Sequence, residues 1–360
     1  MKTGRSIQET YQEIMRQTTA KADYLVNTSR IVMEACGKEP VLRVTDSEGI
    51  DLVEPMDIRP TAHVQIGNYL NIPKKYYDRM RAEEPELLAQ NVNTWFNKQS
   101  EQRMIRTMDG HARAFLSNRY RRIDNLDIAR ATIPVIAEIP DARYESCDIT
   151  DDYLYLKVVN PKLESEVAPG DIVQSGIVIS NSETGQGAVC IQPLIFRLVC
   201  SNGMTVNEAR TRRNHVGRIN NSDEDFSIYS QETLKADDDA FMKKIRDVVR
   251  SVVDEARFAR VIDKMREARG VKLDTRKIPD LVKMTGSSVG YTDSEGEGIM
   301  QYLIEGGDFS LYGLANAVTR YSQDVKSYDR ASQLEGIGYS VLTMPPEQFR
   351  MMNHVVNLAA

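Results

Sequence analysis

The chain has 360 residues, 41% of them hydrophobic and 27% charged, with a formal net charge of −6. That balance is ordinary for a globular protein large enough to bury its own core, and it excludes disordered and fibrous classes. No run of about 18 apolar residues marks a membrane span, MKTGRSIQETYQEIMRQ has no apolar signal core, and Cys36, Cys147, Cys190 and Cys200 are scattered without a CxxC, which points to reduced thiols in a cytoplasm.

Residues 7–36 are mostly helix formers, and Tyr11, Ile14, Met15, Thr18, Ala22, Leu25 and Val26 follow a three-to-four spacing that predicts one or two helices. LRVTDSEGIDLV predicts a short hairpin around Asp46, Ser47 and Gly49. The stretch from Thr61 to Asn97 predicts three short helices, broken at Asn71–Pro73 and near Pro85. At RMIRTMDGHARAFLSN the period changes to two, and Asp109–Gly110 predicts a tight hairpin turn because both residue types tolerate positive φ. NLDIARATIPVIAEI reads as a helix capped by Asn125 with Pro134 inside it. RYESCDITDDYLYLKVV reads as a second hairpin turning near Asp151 and Asp152.

DIVQSGIVIS and AVCIQPLIFRLVCS are two further strands, joined by NSETGQG. Gly185 and Gly187 supply turn freedom, but no lysine follows them and a strand comes next, so a phosphate-binding P-loop does not fit. A polar hairpin tip able to touch a ligand is expected there. Beyond Asn220 the chain turns helical, with an apolar stripe through Phe241, Ile245, Val248, Val249 and Val252. TGSSVGYTDSEGEG reads as a loop, and the segment from Asp308 to Leu342 as a helical pair capped by Asp308 or Ser310. The expected fold is α+β, with a central antiparallel, hairpin-rich sheet flanked by N-terminal and C-terminal helices. Residues 1–96 form a mainly helical region, 97–220 a β-rich region and 221–360 a helical region, as three parts or one interwoven domain.

No catalytic motif emerges. His63, His111, His215 and His354 lie far apart without ligand spacing, Asp148, Asp151 and Asp152 read as a solvated turn, and Asp237–Asp239 as a helix N-terminus. No catalytic residue, metal or cofactor is assigned. Charge distribution is more informative. Residues 97–130 hold eight Lys/Arg against four Asp/Glu, and residues 197–220 hold five against one, whereas 131–196 hold three against ten. The first island contains Arg103, Arg106, Arg113, Arg119, Arg121 and Arg122, with Tyr120 among them, and the second Arg210, Arg212, Arg213 and Arg218. Guanidinium groups fork onto phosphate oxygens and stack on bases, and an adjacent aromatic ring adds a stacking platform, so the islands suit single-stranded nucleic acid. The competing reading pairs these arginines with the acidic segment 131–196.

KADYLVNTSRI, NIPKKYYDRMRAEEPELLAQNVNTWF, LSNRYRRIDN, FRLVCSNGM and LYGLANAVTRYSQ together resemble the DUF932 family of phage- and plasmid-encoded proteins, from about Lys21 to about Leu342. The resemblance implies a mobile-element protein in a bacterial cytoplasm and supplies no activity and no catalytic residues. The resulting expectation is a nucleic-acid-binding protein of phage or plasmid DNA metabolism that binds single-stranded DNA in replication or recombination, by analogy with annealing proteins, as a homo-oligomer. The alternative is a protein-interaction module, an inhibitor or adaptor acting on a host protein. A third reading is a nucleotide enzyme using the NSETGQG tip as a lid.

Overall fold

Ser6 caps the first helix and forms a capping box with Glu9, so α1 (Ile7–Ala20) begins where its orphan backbone donors find partners. The computed structural model describes residues 1–37, 39–46, 48–207, 211–213, 231–250, 254–345, 347–349 and 351–352. Residues 21–36 hold two strands joined by a 3-10 turn (Thr28–Arg30), not the expected helix: β1 (Lys21–Asn27) and β2 (Ile31–Cys36). In β2, buried Ile31 and Met33 alternate with half-buried Val32 and exposed Glu34, a period of two that the three-to-four spacing of Leu25 and Val26 obscures. β3 (Glu39–Val44) pairs with β2 and with β4 (Met56–Ile58), and the hairpin expected at LRVTDSEGIDLV is reduced to one bridge between Thr45 and Asp51.

The three short helices form as expected: α2 (Pro60–Tyr69), α3 (Lys74–Glu83) and α4 (Pro85–Lys98), two of them with proline in the first turn. β5 (Gln102–Met108) and β6 (His111–Ser117) follow, turned by Asp109 at φ 51° and Gly110 at φ 75°. The first sheet is six-stranded in the order β1-β5-β6-β4-β3-β2, with β4 parallel to β6 and the other pairs antiparallel. Leu42, Ile66, Val92, Phe96, Ile105 and Phe115 join it to α2 and α4 in one core. Residues 1–96 therefore contribute four strands, and the boundary near residue 97 runs through a sheet.

α5 (Asn125–Ala137) carries Pro134 inside it, and its cap is Asp124, in a capping box with Asp127, rather than Asn125. The second sheet holds β7 (Arg143–Ile149), β8 (Leu154–Ala168), β9 (Asp171–Asn181), β10 (Val189–Arg197) and β11 (Asn202–Thr205), with β12 (Thr211–Arg213) on the β10 edge. Its pairs are antiparallel, and the 143–168 and 171–197 hairpins stand as expected. Two sheets thus replace the single central one, within the α+β class.

The helical part comprises α6 (Gln231–Arg250), α7 (Glu255–Gly270), α8 (Ile278–Val289), α9 (Asp293–Gly306), α10 (Leu311–Tyr321) and α11 (Tyr328–Leu342). Asp237–Asp239 lie beyond the first turn of α6, not at its start. The expected loop TGSSVGYTDSEGEG is the end of α8, a left-handed Gly290 cap at φ 94°, and a capping box of Thr292 with Glu295 that opens α9. Ser310 caps α10, as one of the two expected choices. One face of the second sheet packs Leu156, Val158, Ile177 and Ile179 against residues of α1, α5 and α6. The other packs Tyr155, Val159, Val178 and Leu194 around Tyr328 of α11. Helices α7–α11 build a further core that reaches the sheet at Val173, Ile195 and Met204. Cys147, Cys190 and Cys200 form no disulfide, and among the described residues no helix is long and apolar enough to cross a membrane.

Candidate functional site

Where the two sheets meet, the loop between β9 and β10 is built into the protein. Asn181, Ser182, Glu183 and Thr184 are all buried and plug the start of the loop against the first sheet, while Gly185 and Gln186 at its tip are exposed. Asn181 Nδ2 donates to Ile123 O at 3.0 Å and to Asn125 Oδ1 at 2.8 Å, and Thr184 Oγ1 donates to Asp152 at 2.8 Å. Gln65 clamps the loop from α2: its Nε2 donates to Thr184 O at 2.7 Å, and its Oε1 accepts from Phe115 N at 2.7 Å. Gly185 has φ 77°, and a Cβ there would come within 2.6 Å of Leu116. Each of these bonds satisfies a backbone or side-chain group that burial would otherwise leave at a cost.

Glu183 is the centre of an ionic network. Its carboxylate accepts from Lys21 Nζ at 3.1 Å, from Asn125 N at 2.6 Å and from Arg113 Nη2. Arg106, with no exposed surface, donates to Asp23 at 2.8 and 3.2 Å, to Asp124 at 2.8 Å and to Glu183 O at 3.0 Å. Lys21 also pairs with Asp124 at 2.9 Å. Burial and the nearby Asp124 push the Glu183 carboxyl upward, but Arg113 and Lys21 outweigh them and hold it below its ordinary value. Asp124 is likewise raised by burial and more strongly lowered by Arg106 and Lys21. Close pairing and multiple hydrogen bonds offset the cost of burying these charges.

The predicted site residues divide accordingly. Arg106 and Arg113 are buried in this network, and Tyr120 is buried with its hydroxyl donating to Ser182 O at 3.1 Å. All three face protein, because the arginine forks match carboxylates from β1, α5 and the plug. Only Glu183 of those carboxylates belongs to the acidic segment 131–196. Arg103 is half-buried, stacked 3.9 Å from the Tyr69 ring centroid and paired with Glu101 at 2.8 Å. Arg121 pairs with Asp237 and Asp238 of α6 at 2.8 and 2.9 Å. Arg122 reaches Asp23 at 3.2 Å, yet its side chain is 58% exposed. Arg119 is exposed.

In the second island Arg212 is exposed on β12, opposite Cys190 of β10, and Arg213 lies opposite Val189, its side chain outside the described residues. Arg210 and Arg218 also lie outside them. Half-buried Tyr153, which sequence reasoning passed over, borders the plug: its hydroxyl donates to Gln186 O at 2.7 Å, it stacks on Tyr155 at 5.6 Å, and the Arg212 charge acts on it. Both islands therefore border residues 181–187, one through Arg113 and Tyr120 and the other through the β10 pairing.

A second buried charge pair was equally invisible in the sequence. Lys157 of β8 and Glu335 of α11 are both fully buried and meet at 2.7 Å. Tyr328 covers the ammonium, its ring centroid 4.7 Å away, and Glu335 Oε1 has no hydrogen-bond partner. A lysine inside the apolar run LYLKVV signals a buried counterion, but 52 acidic residues compete for that role. Among the described residues no group of three or more His, Cys, Asp or Glu could hold a metal ion.

A model of the DUF932 family, described as a domain of unknown function, matches residues 112–347. The matched region starts well beyond KADYLVNTSRI and NIPKKYYDRM, so the first sheet lies largely outside it. No curated protein and no solved structure matches the chain.

Proposed function

The chain belongs to the DUF932 family, whose description carries no activity, and we propose that it binds single-stranded nucleic acid in phage or plasmid DNA metabolism, along the margin of the 181–187 plug. Arg119, Arg122 and Arg212 make the phosphate contacts, and Tyr153 takes the stacking role first given to Tyr120. The observation that supports this reading is exposed guanidinium charge beside the buried ionic network. Lys21, Arg106 and Arg113 are matched there by Asp23, Asp124 and Glu183, and Arg122, 3.2 Å from Asp23, extends into solvent. Arg119, next to Tyr120, and Arg212 on β12 are exposed as well. Exposed guanidinium groups release counterions when they meet a phosphate backbone, which is where such binding gains its free energy.

The triple variant Arg119→Ala/Arg122→Ala/Arg212→Ala tests the assignment: the three side chains are exposed, and Asp23 keeps its pair with Arg106 when Arg122 is removed. Each lost phosphate contact lowers the slope of log affinity against log salt by about 0.7 for a single strand, so the slope should fall by about 2. An unchanged slope and affinity would remove these residues from the interface. Absence of binding by the unaltered protein at low salt would favour the alternative, a module that acts on a host protein.

A further inference from the structure

The second sheet meets two hydrophobic cores on one face, and the described residues leave a cleft between them. Ile177 and Ile191 belong to the core beneath α5 and α6, and Ile195 to the core beneath α7–α11. At the seam lies a cleft of about 400 Å³, with these three isoleucines buried beneath it and half-buried Pro193, Val248 and Val261 among its lining residues. Such a volume, with apolar walls and a few polar groups, is the usual form of a small-molecule site, roughly 300–1,000 Å³.

The lining charges define what it would take. Arg257, Arg260 and Lys264 stand at i, i+3 and i+7 along α7, on one stripe of that helix, and Asp254 is the single carboxylate among the lining residues. Arg257 lies 3.6 Å from Asp254, a long contact, and Arg260 Nε donates to a backbone carbonyl, Ala256 O, at 3.3 Å. Both guanidinium groups are exposed at the cleft. We propose that this cleft binds a small organic anion: a flat apolar body packs against Pro193, Val248 and Val261, and a phosphate, sulfonate or carboxylate head meets Arg257 and Arg260. An inorganic anion would leave Pro193, Val248 and Val261 uncovered, and a neutral hydrocarbon would make no use of Arg257 and Arg260. None of these residues is used in the nucleic-acid reading, so the two stand or fall separately.

Anilinonaphthalene sulfonate carries both parts and is a fluorescent probe for the site. Titrated into the native full-length chain, it should give a saturable, single-site increase in emission. Arg257→Ala/Arg260→Ala should weaken binding about tenfold, as expected for loss of charge-assisted hydrogen bonds. Val261→Trp should abolish it by filling the cleft, with circular dichroism confirming the fold. Nucleoside monophosphates or aryl carboxylates should displace the probe, and inorganic sulfate should not. Non-saturable emission, or equal affinity in the folded arginine double variant, would overturn the proposal.

Discussion

Replacing Glu335 by leucine puts the account of the buried charges to a quantitative test. The ammonium of Lys157 sits 2.7 Å from Glu335 Oε2, and neither side chain is exposed. Its other close neighbours are the rings of Tyr328 at 4.7 Å and Tyr155 at 6.0 Å, which offer quadrupoles but no counterion. Glu335→Leu therefore leaves a charge in the core between β8 and α11, at a cost of about 3–5 kcal/mol. Lys157→Met strands the carboxylate, whose Oε1 already lacks a partner, and costs a similar amount. Lys157→Met/Glu335→Leu removes both charges and keeps their approximate volume, so it should lose less than either single change and even gain stability. Urea unfolding followed by circular dichroism gives all three values, and the coupling should exceed about 3 kcal/mol, the lower bound for breaking a buried pair. Additive losses, or a single variant that loses less than about 1 kcal/mol, a value typical of exposed pairs, would refute the reasoning.

Glu183→Gln should cost a similar 3–5 kcal/mol, because Arg113 then keeps its charge in the plug without its carboxylate, as urea unfolding would report. Gly185→Ala should cost about 1–2 kcal/mol from the left-handed backbone alone, with the Leu116 contact adding to it, and a thermal melt detects that loss. His63 is buried, and burial lowers its pKa from 6.5 to about 4. In the unfolded chain His63 takes a proton below its ordinary value while the folded protein still refuses it. Its contribution to stability is therefore present above pH 6.5 and is lost as the pH falls towards 4. Unfolding midpoints measured across that window should fall with pH, and His63→Gln should flatten the fall.

Local chemistry made part of this fold legible. Asp109–Gly110 needs only two residues to turn a hairpin, and Pro73 and Pro85 mark helix starts, as the cap of α3 and the first residue of α4. β1 and β2 were hidden because Ala22, Leu25 and Val26 satisfy a helical spacing, and only pairing with β5 and β3 decides for strands. TGSSVG looks like a loop by composition, yet packing of buried Thr285 and Gly286 keeps it helical to Val289. The arginine islands were visible as composition, but their division was not. Arg106 meets Asp23, Asp124 and the Glu183 carbonyl, 83, 18 and 77 residues away, and no spacing rule connects them. Arg106 lies in β5, whereas Arg119 and Arg122 lie in the stretch between β6 and α5 and are exposed.

The most direct test of the proposed function is fluorescence anisotropy of labelled single- and double-stranded oligonucleotides with the full chain over a salt series. The account predicts binding that prefers the single strand and weakens steeply as salt rises. Salt-independent binding, or none at low salt, would contradict it and leave the exposed arginines without a role in nucleic-acid recognition.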